Sequence, residues 1–302
     1  MSSTIVVPLD GSPAAESAIP FARMLARRSN APLMLTSVVA VSGEFATWLN
    51  TGVDQNDSEI GAWVEDRRTY LSSLIDSLDG DDVHAHVSVG RPTNMLVEFI
   101  DSVEEPIVVM ASHGEAVPDE GAVGRHTFRL IHQLECPMVI IPTRRAGETR
   151  SMPDITRVVL PLDGSEFSEV ALNASTEILG EPQPSLHLVH VIDTQRATER
   201  VAHQGLVGDY LDAVREERMN HLQQVAGDLT GRGFTTTWEV REGSPAEQIT
   251  VAAAESHASM IAMATHGYSG IAQTLLGSTA EAVLHISRFP LLLIRPADDE
   301  RS

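Results

Sequence analysis

The sequence predicts an α/β chain built twice: two tandem domains, each a five-stranded parallel sheet of order 3-2-1-4-5 covered by helices on both faces. Three observations predict it. Short apolar runs alternate with helix-period segments along the chain, and such alternation produces a right-handed, doubly wound parallel sheet. The runs carry few charges, as "RVVLPL" (157–162) and "SLHLVHV" (185–191) show, so their strands need cover on both faces. The third observation is that the pattern repeats at a single offset.

Val7-Pro8-Leu9-Asp10-Gly11-Ser12 returns as Leu160-Pro161-Leu162-Asp163-Gly164-Ser165, and Gly90-Arg91-Pro92 as Gly243-Ser244-Pro245. His113-Gly114 returns as His266-Gly267, Gly124 as Gly277 and Pro137 as Pro290, every pair 153 positions apart. Only the second helix slips, Arg67 to Leu71 matching Arg218 to Leu222 at 151. Two repeats of this length are two domains rather than a solenoid. The expected boundaries are 1–143 and 155–297, joined by the polar linker 144–154, "RRAGETRSMPD".

In the second half the strands are expected at 157–162, 185–192, 234–240, 259–264 and 290–295, with helices near 166–180, 208–230, 245–256 and 277–287. The first half follows by the offset. The first strand ends at Asp10 or Asp163, and Ser12-Pro13 puts a capping hydroxyl before a proline that needs no hydrogen bond. Ser244-Pro245 reads the same way, as a helix start rather than a binding element. The fourth strand ends in Met-Ala-(Ser/Thr)-His-Gly, at 110–114 and 263–267, and after nine intervening residues Gly124 or Gly277 opens the last helix. Pro137 and Pro290 each open a final strand.

Composition narrows the function. The chain of 302 residues is 42% hydrophobic and 21% charged, with no apolar run near the roughly 18 residues that a membrane span needs. No basic-then-apolar leader is seen, so the expected location is the cytoplasm. A single cysteine, Cys136, excludes an intrachain disulfide and a cysteine metal cluster, and its setting reads as a small buried hydrophobe. The net charge of −21 repels nucleic acid and anionic membranes, so neither is expected as a partner. Every basic residue other than histidine is arginine, and the missing lysine removes a Walker-type phosphate loop.

In an open parallel sheet, ligands sit beyond the carboxyl ends of the strands where the winding reverses, here between strands 1 and 4. Asp10 and Asp163 end strand 1, and the His-Gly loops end strand 4. Glycine at Gly267 allows a turn with positive φ, while at Gly277 bare backbone N–H groups can meet an anion at the positive end of a helix. Ser278 and Thr279 add hydroxyl donors. Together these make a phosphate site without lysine, and tight packing is the competing explanation for the glycines.

With these residues in view, the chain resembles the universal stress protein family in tandem form, almost end to end. Nucleotide-binding members carry Gly-x-x-Gly, nine residues, then Gly-(Ser/Thr), with an Asp after strand 1 and a Val at the end of strand 2. The resemblance implies flavodoxin-like, HUP-type domains binding ATP, or AMP or ADP, across the strand 1/strand 4 crevice, with Mg²⁺ accompanying ATP. It implies that Asp163 and the backbone of Val191 hold adenine and ribose, that Gly267, Gly277, Ser278 and Thr279 hold phosphates, and that Pro161, Met263, Ala264 and His266 complete the site. In the first half it points to Pro8, Asp10, Val38, Met110, His113, Gly114, Gly124 and Arg125. The first motif glycine is Ala264 in one half and Ala111 in the other. In the first half Arg125-His126 also replaces the expected hydroxyl, and Glu115, Asp119 and Glu120 oppose a triphosphate unless a metal bridges them. Arg125 compensates by pairing with phosphate.

His113 and His266 read as loop-orienting groups, with a phosphate donor or weak general base as the alternative, and no catalytic residue is assigned. His126 and His132, at i and i+6, lack a ligand pair's spacing, and His84-x-His86 shows no acidic partner. Segments 41–58 and 193–209 overhang the crevice as lids or as variable loops, with Trp48 a stacking candidate. The expected function is a regulatory, adenine-nucleotide-binding stress protein acting through conformation or an unidentified protein partner. Its apolar fifth strands would pair with each other as an intramolecular pseudo-dimer, which in turn could form a homodimer. A slow ATPase or nucleotide hydrolase, and a nucleotide-free interaction scaffold, are the alternatives.

Overall fold

The computed structural model describes residues 3–41, 58–78, 81–113, 123–143, 154–195, 207–265 and 276–295. The chain divides into two compact units, Met1–Met152 and Pro153–Ser302.

In the first unit the strands are β1 (Thr4–Pro8), β2 (Leu33–Ala40), β3 (Val83–Gly90), β4 (Pro106–Ala111) and β5 (Met138–Ile141). Its helices are α1 (Pro13–Glu16), α2 (Ile19–Ser29), α3 (Ser58–Ser77), α4 (Pro92–Asp101) and α5 (Arg125–Gln133). All strand pairs are parallel, in the order β3-β2-β1-β4-β5. The second unit repeats this with β6 (Arg157–Pro161), β7 (Ser185–Ile192), β8 (Thr236–Glu242), β9 (Met260–Ala264) and β10 (Leu291–Ile294). Its helices are α6 (Glu166–Ile178), α7 (Val207–Gly231), α8 (Pro245–Glu255) and α9 (Ser278–Ile286). Here the parallel order is β8-β7-β6-β9-β10. Each unit is therefore a doubly wound sheet whose order reverses between its first and fourth strands.

The central strands are buried along their length: Ile5, Val6 and Val7 in one unit and Val158, Val159 and Leu160 in the other expose 1% or less. Right-handed crossovers put the helices after the first two strands on one face of each sheet and the last two helices on the other. Helices α8 and α9 pack side by side, and their N-termini both open at the carboxyl edge of the sheet.

Two local expectations change. Strand β8 begins at Thr236, two residues later than the apolar run suggests. Phe234 instead folds back as a buried plug on the end of α7, its N–H donating to Leu229 O at 3.1 Å, after Gly233 turns with φ +96°. The Ser244 hydroxyl makes no capping hydrogen bond to α8, whose start is held by the backbone, Gln248 N–H donating to Ser244 O at 3.0 Å. Ser12 and Ser165 do cap, accepting from Ala15 N at 3.1 Å and Ser168 N at 3.2 Å. Among the described residues, no helix is long and apolar enough to cross a membrane.

Candidate functional site

The turn after the first strand is built the same way in both units. Asp163 Oδ1 accepts the Ser165 N–H at 2.9 Å and the Ser165 hydroxyl at 2.5 Å, and Asp10 Oδ1 accepts from Ser12 at 2.9 and 2.6 Å. This aspartate turn needs a left-handed residue, met by Gly164 at φ +82° and Gly11 at φ +90°. A side chain on either glycine would also run into a guanidinium, Arg218 in one unit and Arg67 in the other. Arg67 Nη1 donates to the Asp10 carbonyl at 2.8 Å, so the long helix after the second strand holds the turn in place.

Beyond that turn the sheet opens. Leu162 N–H donates to Val189 O at 2.8 Å, and the chain then leaves the sheet. Successive strand residues alternate in direction, so the backbone N–H and C=O of Val191 point to the side that β6 has vacated. On the other flank, Thr265 N–H bonds Ile294 O and Gly277 N–H bonds Thr265 O at 2.7 Å, which seats the start of α9 directly on the end of β9. The Gly277 amide is thereby consumed, so the expectation that it faces an anion is corrected. Its φ of −60° is ordinary, and close approach of backbone to backbone is what calls for glycine. The first-unit copy shows this directly: a Cβ on Gly124 would lie 3.1 Å from Ser112 O and 3.3 Å from His113 Cα. The amides of Ser278, Thr279 and Ala280 fall in the first turn of α9 and have no intrahelical acceptor.

These elements enclose a crevice of about 200 Å³ in the second unit. Pro161, Asp163 and Val191 line it, as do Met263, Ala264, Gly277, Ser278 and Thr279. His266 and Gly267 fall outside the described residues, as do Gly114, Trp48 and the acidic loop residues Glu115, Asp119 and Glu120. The lining also includes residues that the sequence reading passes over: Leu162, Ser168, Asp193, Pro245, Ile249 and Thr265. Pro245 is thus a helix start and a wall of the crevice together. Its i+4 partner Ile249 was the available signal, since one helical face must meet the strand ends.

In the first unit, Pro8 ends β1, Val38 lies in β2, Met110 in β4, and Gly124 and Arg125 start α5. The mouth differs in chemistry. His126, at the position of Thr279, places Nδ1 3.1 Å from the hydroxyl of buried Thr93, so a side-chain bridge joins the starts of α4 and α5. The second unit has Ala246 in place of Thr93. His113 is buried, with Nδ1 3.1 Å from Thr143 Oγ1 and 3.2 Å from Ser112 Oγ, in a hydroxyl cluster that ties the end of β4 to the residues after β5.

Behind the second crevice, His190 is buried and its Nδ1–H donates to Leu162 O at 2.7 Å. Desolvation lowers its pKa; the bond to Leu162 and the Asp163 charge oppose that shift, while Arg218 and His221 reinforce it. The imidazole is therefore held neutral. His221 Nε2 stands 3.7 Å from Glu169 Oε1. The first unit does the same job with hydroxyls: Ser37 donates to Leu9 O at 2.7 Å, and Tyr70 to Glu16 at 2.9 Å.

Other sequence candidates carry less. Burial pushes the Cys136 thiol up to about 12, which leaves it protonated and unreactive at neutral pH. Contrary to expectation, His84 has an acidic neighbour, Asp82 at 3.0 Å, yet no group of three metal-ligating side chains forms among the described residues.

The model of the universal stress protein family matches residues 1–142 and again 154–295. The universal stress proteins Rv2005c and Rv2623 of Mycobacterium tuberculosis are 25% and 26% identical to this chain, each alignment covering 96% of both sequences. The crystal structure of a universal stress protein from Archaeoglobus fulgidus superposes with a TM-score of 0.67 at 17% identity, over 98% of this chain and 97% of the other, a likeness of fold.

Proposed function

The chain belongs to the universal stress protein family, and from that premise we propose that its second unit binds an adenine nucleotide in the crevice between the ends of β6, β7 and β9. The observation that carries the reading is that one crevice gathers the Asp163 turn, the open backbone of Val191 and the first turn of α9. Strands β9 and β7 are two sheet positions apart, about 10 Å at the usual strand spacing. That distance suits a ligand with a phosphate at one end and a base at the other.

Phosphate meets the amides and hydroxyls of Ser278 and Thr279, where the helix dipole favours negative charge. The base takes the paired N–H and C=O of Val191, and Asp163 accepts from the nucleoside. Where ATP is the ligand, Mg²⁺ neutralises charge on its phosphates. The same reading carries a regulatory role in a cytoplasmic stress response, with output through a protein partner or a homodimer.

Isothermal titration with ATP and Mg²⁺ tests it, run beside Thr279→Glu. Glutamate in the first turn of a helix suits its dipole, so the variant folds. Its carboxylate occupies the phosphate seat, and affinity falls at least about tenfold, matching the loss of one charge-assisted contact. Unchanged affinity in Thr279→Glu, or no binding by the wild-type chain, contradicts the reading.

A further inference from the structure

The second crevice holds a carboxylate that the first unit lacks. Asp163 and Asp193 follow the adjacent parallel strands β6 and β7, and both line the crevice. The position of Asp193 is Ala40 in the first unit. Each aspartate is anchored by an amide two residues on: Ser165 N–H to Asp163 Oδ1 at 2.9 Å, and Gln195 N–H to Asp193 Oδ1 at 3.1 Å. Such turns fix a carboxylate's direction, and an ionised carboxylate has acceptor sites for about four hydrogen bonds.

A carboxylate beside a bound anion is unfavourable unless the ligand answers it with a donor. Asp193 directly follows β7, two residues beyond Val191, and β7 lies two sheet positions from β9, on whose end the first turn of α9 is seated. It therefore lies at the end of the crevice away from the phosphate seat. What reaches it is the nucleoside.

We propose that Asp193 is a specificity-determining residue of the second unit, its carboxylate accepting a hydrogen bond from an N–H or O–H donor on the nucleoside and so selecting ligands that carry one. This rests on the nucleotide reading given above. Two groups supply the chemistry, the exocyclic amine of the base and the ribose hydroxyls.

The test is isothermal titration of the full chain with ATP, inosine triphosphate and 2′,3′-dideoxy-ATP, for wild type, Asp193→Ala and Asp193→Asn. Inosine triphosphate lacks the amine and dideoxy-ATP lacks the hydroxyls, so the two arms separate the sources. Wild type is expected to prefer ATP over one of these analogues by about tenfold or more, because a site built around a donor rejects the ligand that lacks it. Asp193→Ala, which installs the first unit's residue, brings that ratio to within about twofold and leaves the other ratio unchanged. Asp193→Asn keeps an acceptor oxygen and falls between them. Equal affinity of wild type for all three ligands, or ratios that survive Asp193→Ala, overturns the proposal while leaving nucleotide binding intact. A wild-type chain that binds none of the three removes the nucleotide reading, and the role of Asp193 with it.

Discussion

The two units share a skeleton and differ at its mouth. Both hold an aspartate turn with a left-handed glycine under an arginine, and both seat the last helix on the fourth strand through a glycine N–H at 2.7 Å. What changes between them is side chains: Ser278 and Thr279 against Arg125 and His126, Ala246 against Thr93, Asp193 against Ala40, and His190 against Ser37. Features that backbone geometry requires persist in both copies, whereas side chains around the mouth differ. The second unit kept small hydroxyls around an open crevice, and the first bridged the same gap with its own His126 and Thr93.

The comparison breaks most visibly if the mouth is exchanged. Thr93→Ala with Arg125→Ser and His126→Thr gives the first unit the second unit's residues, and calorimetry is expected to show a second nucleotide equivalent per chain. A stoichiometry that stays at one means that the closure lies elsewhere in the first unit.

A smaller effect tests what the units share. Gly11→Ala and Gly164→Ala each force a side chain into left-handed backbone and against a guanidinium, for a cost of roughly 1–3 kcal/mol. Chemical denaturation should find both destabilised by similar amounts. A neutral result at Gly164 would show that the turn relaxes without Arg218.

The smallest effect separates the layers behind the two crevices. His190 has a depressed pKa in the folded chain, so as pH falls below about 6.5 the unfolded chain takes up a proton that the folded one resists, and stability declines toward the folded pKa. The groups facing it are Leu162 O, Arg218, Asp163 and His221. His190→Ser, the first unit's residue, is expected to reduce the loss of stability between pH 7.5 and 5.5. An identical pH slope in the variant would move the titration to another group.

Much of this was legible in the sequence. The strand-helix alternation and the duplication follow from glycine, proline and aspartate landmarks, because these residues answer local backbone needs, whereas Val191, Met263 and Ala264 of the second crevice follow only from the family resemblance. Phe234 was misread because an apolar residue after a helix looks the same whether it starts a strand or plugs the helix end. The role of Gly277 was half legible: close approach was expected, but that the partner is Thr265 O rather than a ligand depends on a contact across the loop. Asp193 is not singled out in the sequence because it opens the segment 193–209, which reads as a lid or a variable loop. The group of His190, Arg218 and His221 comes from a strand and a distant helix, and no spacing rule joins them.

Whether the second unit is the binding half is decided by the calorimetric stoichiometry of the wild-type chain with ATP and Mg²⁺, measured beside Thr279→Glu and His126→Glu. One nucleotide per chain is expected, lost in Thr279→Glu and kept in His126→Glu. Two nucleotides per chain, or a single one lost in His126→Glu and kept in Thr279→Glu, would contradict it.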